Sequence, residues 1–128
     1  MVRIICVGNR FAYPDNFGMV VYEALKEKEL EGIELVEGGV GGMSLLPYFE
    51  DDAQILIVDY ATLDMPKTAT KEDIAKLPVC EYNHATSFLY MLKSIEKDYT
   101  LYLCSKAYEK TEIPHYVDEI LTLARELG

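Results

Sequence analysis

Short, nearly uninterrupted apolar runs alternate along this chain with stretches whose apolar residues recur at helical spacing. Val2–Val7 has Arg3 as its sole polar member and stops at Gly8. A run this short and continuous predicts a strand buried on both faces. Phe17, Val20, Val21, Ala24 and Leu25 then fall at i, i+3, i+4, i+7 and i+8, one face of a helix. Asn16 is placed to cap that helix through its side-chain oxygen, and Gly32 closes the segment. Ile33–Val36 predicts a second strand, which opens into the glycine-rich Glu37–Gly42, EGGVGG. Met43–Phe49 predicts a short helix, irregular near Pro47. Ile55–Val58 predicts a third buried strand ending at Asp59. From Ala61 to Val79 the pattern is mixed, and Pro66, Pro78 and TATKED predict a surface excursion with a single helical turn.

Ala85–Lys97 predicts a helix with Phe88, Met91, Leu92 and Ile95 on its apolar face, and His84 stands just before it. Tyr99–Ser105 predicts a strand. Pro114–Leu127 predicts a last helix, with proline near the first turn, where its missing N–H costs little, and a stripe of Val117, Ile120, Leu121 and Ala124. The alternation of strand and helix predicts one α/β domain over residues 1–128: three layers, a mainly parallel twisted sheet, and helices on both faces.

In open sheets of this kind ligands collect beyond the carboxyl ends of the strands. Asp15 follows the first strand, the glycine loop follows the second and Asp59 ends the third, so all three are expected at one edge, with His84 within reach. Two carboxylates and an imidazole suit a divalent first-row metal and leave positions open for water or another protein's ligands. Each residue also has a plainer reading. Asp15 fits a cap or turn, Asp59 a loop start, His84 a helix start, and the glycines a set of tight turns. His115 reads as a surface residue of the last helix. GxGxxG, GxxxxGK[ST] and GxSxG are all absent. A phosphate cradle in the glycine loop and a serine nucleophile therefore have little support.

Composition narrows the partners. The 128 residues carry a net charge of −10, which repels nucleic acid and acidic membranes. No apolar run approaches the length of a membrane helix, and MVRIICV enters a strand directly, so no signal peptide is expected. Cys6, Cys80 and Cys104 lack metal-binding spacing and read as small buried hydrophobes in a reducing cytoplasm.

The ordered segments resemble the hydrogenase maturation endopeptidases, which process the large subunit of nickel–iron hydrogenases. The matching residues are Gly8-Asn9 after the first strand, Asp15, Gly18 opening a helix that reaches Glu23-Ala24-Leu25, EGGVGGMSLL at Glu37–Leu46, LIVDYA with Asp59, and YNHATSFLYML with His84. Pro14 stands where members often have another acid, leaving Asp15 as the acidic residue of the first loop.

The resemblance implies a phosphorylase/hydrolase-like fold and a cytoplasmic peptidase whose partner is a large-subunit precursor. It implies that Asp15, Asp59 and His84 are both the catalytic set and the ligands of nickel, supplied by the substrate as a recognition element, with other divalent metals able to substitute. It also implies that Gly38, Gly39, Gly41 and Gly42 recognise the substrate, and that a C-terminal extension is removed from it. The metal would either activate the scissile carbonyl or water, or only dock the substrate while a carboxylate acts as general base. A non-catalytic metal-binding or chaperone-like maturation factor with the same ligands is the alternative, and a small nucleotide binder a third reading.

Overall fold

The computed structural model describes residues 1–62, 65–76, 88 and 91–128. Strands β1 (Val2–Val7), β2 (Ile33–Gly39), β3 (Gln54–Tyr60), β4 (Thr68–Thr70) and β5 (Thr100–Cys104) form one sheet in the order β2-β1-β3-β5-β4. All neighbouring pairs are parallel except β4–β5. The apolar runs are continuous because both faces are covered. Val2, Ile4 and Cys6 of β1, Leu56 and Val58 of β3, and Tyr102 and Cys104 of β5 face one core. Helix α1 (Phe17–Lys26) and the C-terminal helix (Ile113–Leu127) close that core. Ile5, Val7, Ile55, Ile57, Leu101 and Leu103 point the other way, against the 3-10 helix Met43–Phe49, helix α2 (Lys71–Ala75), Phe88 and Met91–Ile95. The three-layer α/β expectation is borne out.

Several local expectations need correction. In α1 the buried residues are Phe17, Gly18, Met19, Val21 and Leu25, while Val20 and Ala24 are only half-covered. The helix lies so close to β1 that glycine, not a large side chain, fills its second position. Met43–Phe49 is a 3-10 helix throughout, with Pro47 inside it. The described part of the 61–79 stretch, residues 61–62 and 65–76, holds the expected helical turn as α2 but is more than a surface excursion. Its residues 68–70 form an antiparallel edge strand, and α2 follows directly, opened by a capping box between Thr70 and Asp73. Three residues are too few for periodicity to reveal a strand. Helical backbone is present at 88 and 91–94 and ends before Lys97, and its predicted apolar face is buried at Phe88, Met91, Leu92 and Ile95. Cys6 and Cys104 are free and buried, as expected, and Cys80 lies outside the described residues. Among the described residues no helix is long and apolar enough to cross a membrane.

Arg3, the polar residue inside β1, is covered and held by three partners. Its guanidinium donates to Glu34 Oε2 at 2.5 Å, Asp51 Oδ2 at 2.7 Å and the Tyr48 carbonyl at 2.5 Å. It thereby joins β1, β2 and the end of the 3-10 helix at the edge opposite the glycine loop. Arg3→Ala is expected to lower stability by about 1–2 kcal/mol, because both carboxylates remain hydrated and no charge is stranded. Urea titration at pH 7 checks this. The Arg3 contact holds the Asp51 carboxyl well below the usual range. Its contribution is therefore present above the unfolded carboxylate pKa and is lost as pH falls below it. The difference between the two proteins should shrink accordingly below about pH 4.

Candidate functional site

The strand order locates a crevice before any side chain is considered. From β1 the chain crosses to β2 on one side, then returns past β1 to β3 on the other. The loops after β1 and β3 consequently diverge, leaving a cleft at their carboxyl ends, the switch point where open sheets bind ligands. Asp15 lies in the first of these loops and Asp59 near the end of β3.

The loop between β1 and α1 is folded tightly back on its own strand. A Cβ at Gly8 would lie 2.4 Å from the Asp15 carbonyl oxygen, and one at Gly18 only 2.0 Å from that of Val7. Both glycines are there because backbone passes against backbone. Within the loop, Asn9 N–H donates to Asp15 Oδ2 at 3.2 Å and Phe11 N–H to Asn9 Oδ1 at 3.0 Å. Asn16 does not cap α1 with its side chain. Its Oδ1 instead accepts from the Tyr108 hydroxyl at 2.6 Å, while the Tyr13 hydroxyl donates to the Tyr108 carbonyl at 2.6 Å. The Tyr13 and Tyr108 rings lie 5.1 Å apart. Tyr108 thus holds the loop from behind, through contacts more than ninety residues away in sequence.

The glycine loop is the second wall. Cys6 pairs with Glu37 but Val7 with Gly39, so Gly38 is the extra residue of a β-bulge, a device that re-aims chain at strand ends beside sites. Gly39, Gly41 and Gly42 take left-handed φ values of 57°, 82° and 105°. Gly8 N–H donates to the Gly39 carbonyl at 2.7 Å. Arg10 adds a clip between the walls, donating to Glu37 at 2.6 Å and to Glu23 of α1 at 3.3 Å. The sequence offered no sign of either Arg10 or Tyr108, since each acts through a partner distant along the chain.

Asp59 sits beside Leu103 of β5 and half-buried. Its Oδ1 accepts the Tyr60 N–H at 2.8 Å. Burial pushes its carboxyl up to about 8, and the negative charge of Asp15 adds to the rise. Asp15 and Asp59 thus share the carboxyl edge of the sheet, where the charge of one is felt by the other. His84 lies outside the described residues, and among the described residues no group of three or more His, Cys, Asp and Glu side chains is placed to hold a metal ion. Two oxygen donors sharing a partly dry crevice nonetheless fit a divalent cation, which would relieve their repulsion. His115 is exposed and paired with Glu119 at 2.6 Å, far from this pair in role. Past the end of β5 lies a cavity of about 260 Å³, lined by Ala61, Lys67, Ser105, Lys106, His115 and Tyr116 among others.

Comparison with known proteins follows the same lines. The sequence profile of the hydrogenase maturation protease family, HycI, matches residues 19–117. No curated protein matches by sequence. The fold is similar to that of the hydrogenase maturating endopeptidase HybD from E. coli, at 18% identity and a TM-score of 0.75, over 99% of this chain and 93% of that one. It is similar also to a hydrogenase 2 maturation peptidase from Thaumarchaeota archaeon SCGC_AB-539-E09, at 23% identity and a TM-score of 0.59, over 98% and 96%. A [NiFe] hydrogenase maturation protease HycI from Thermococcus kodakarensis KOD1 gives 16% identity and a TM-score of 0.60, over 98% and 91%.

Proposed function

Because the chain belongs to the hydrogenase maturation protease family, we propose that it is a cytoplasmic endopeptidase that removes the C-terminal extension of a nickel–iron hydrogenase large subunit after nickel insertion. The observation that carries this reading is the family match over residues 19–117, supported by the placement of Asp15 and Asp59 at the switch-point edge of the sheet.

Nickel enters as part of the substrate. Asp15, Asp59 and His84 would hold it, two oxygens and one nitrogen suiting a divalent ion with positions left for the precursor's own ligands. Docking would drive the proton from Asp59, since a nearby cation favours the carboxylate. Asp15, braced by the Asn9 N–H, keeps its direction through the tight loop. One of the two carboxylates, placed beside the scissile carbonyl, takes the proton of the attacking water as general base. Gly39 and Gly42, with open space around their Cβ positions, would let precursor backbone approach the crevice, and Gly38 and Gly41, packed against β1 and Phe88, would shape the loop that recognises it.

Incubation with the cognate nickel-loaded precursor tests the reading. Intact-mass measurement should show a large subunit shortened at its C-terminus. A precursor that is bound but left uncut would instead identify a non-catalytic maturation factor.

A further inference from the structure

Among the described residues the large apolar side chains left exposed are Met1, Phe11, Tyr13, Val40 and Met43. Met1 lies at the opposite edge of the sheet, and the Tyr13 ring and hydroxyl are engaged with Tyr108. The other three stand on the two walls of the crevice. Phe11 is 94% exposed, Val40 68% and Met43 65%. Nothing in folding requires a phenylalanine at 11, since the loop is held through backbone and through Asn9, Tyr13 and Asn16. Apolar side chains kept in water beside a site mark a surface that is covered in use.

Resting on the function proposed above, we infer that Phe11, Val40 and Met43 form an apolar docking rim for a non-acidic, apolar-sided segment of the precursor polypeptide next to its cleavage point. Charge selects this occupant. The chain is at −10 overall, and the cation between the two walls, Arg10, already faces Glu23 and Glu37. An acidic segment would meet repulsion here, and the three side chains of the rim offer apolar contact alone, so the segment they take presents apolar side chains and no carboxylates. The frame is also pinned in advance by Gly8 N–H to the Gly39 carbonyl and by Arg10 to Glu37, so docking orders little new structure.

The triple variant Phe11→Ser, Val40→Ser, Met43→Ser tests this in steady-state cleavage of nickel-loaded precursor. KM should rise about 10- to 100-fold, as loss of this apolar contact implies, with kcat within about 3-fold and the melting temperature unmoved, because exposed side chains contribute little to stability. An unchanged KM overturns the rim while leaving the peptidase reading intact. If the wild type cuts nothing, the peptidase reading fails and direct binding of the precursor decides the rim. Weaker binding by the triple variant upholds it, and equal binding overturns it. A wild-type dimer that the triple variant abolishes would overturn it too, by showing that the rim covers a second copy of the chain.

Discussion

Asp59→Asn is expected to abolish processing and to make the protein more stable. Loss of a ligand and proton acceptor should lower kcat/KM by about 10³-fold, within the range for removing a positioned general base. Stability should move the other way. In the native state the Asp59 carboxyl is pushed up to about 8 by burial and by Asp15, whereas in the unfolded chain it titrates near the ordinary value of about 3.9. Between these values the native state holds more protons, so wild-type stability falls as pH rises across that window and stays at its lower level above it. Asparagine keeps the shape and the acceptor for the Tyr60 N–H but carries no charge. The variant should therefore match wild type near pH 4 and exceed it by about 1–3 kcal/mol at pH 9, the size of an uncompensated buried polar group. Metal-free urea melts at several pH values check this. Equal pH profiles for the two proteins would show that Asp59 is not strained. Stability surrendered at a working site is the expected trade.

The second large effect concerns the fold that presents the site. Within a helix, Gly→Ala is ordinarily stabilising by about 1 kcal/mol. At Gly18 the sign should reverse. The added Cβ would lie 2.0 Å from the Val7 carbonyl oxygen, and 2.8 and 2.9 Å from the carbonyl carbon and nitrogen of the same residue. All three are backbone atoms of a central strand, so α1 must lift away from β1 or the strand must shift. A loss of about 3 kcal/mol is expected, at the upper end of overpacking, seen as a fall of about 1–2 M in the urea midpoint. Gly32→Ala is the control. Gly32 has φ +75° and open space around its Cβ position, so only the left-handed backbone is penalised, at about 1 kcal/mol. Processing by Gly18→Ala should fall with the folded fraction, since the same displacement moves Asp15 relative to Asp59.

Much of the architecture was readable in advance because its causes are local. Val2–Val7, Ile55–Val58 and the helical stripe of Ile113–Leu127 each declare their burial through their own sequence. The placement of Asp15 and Asp59 at one edge followed from topology alone. What the sequence hid acts across long separations. Asn16 gives its oxygen to Tyr108, not to α1. Arg10 ties its loop to α1 and to the end of β2, and Arg3 crosses three elements at the far edge. The edge strand at Thr68–Thr70 exists because β5 offers it a partner, a fact absent from its three residues. Gly18 was visible as a residue of the matching motif, yet its reason, backbone against backbone, belongs to packing.

The most direct test of a peptidase that reads nickel in its substrate is a paired incubation. Wild-type protein is mixed with nickel-loaded and with nickel-free precursor of the same hydrogenase large subunit, and the mass of the subunit is followed. Shortening at the C-terminus in the nickel-loaded arm alone is the predicted result. Equal shortening in both arms would contradict recognition through nickel, and no shortening in either would contradict the peptidase itself.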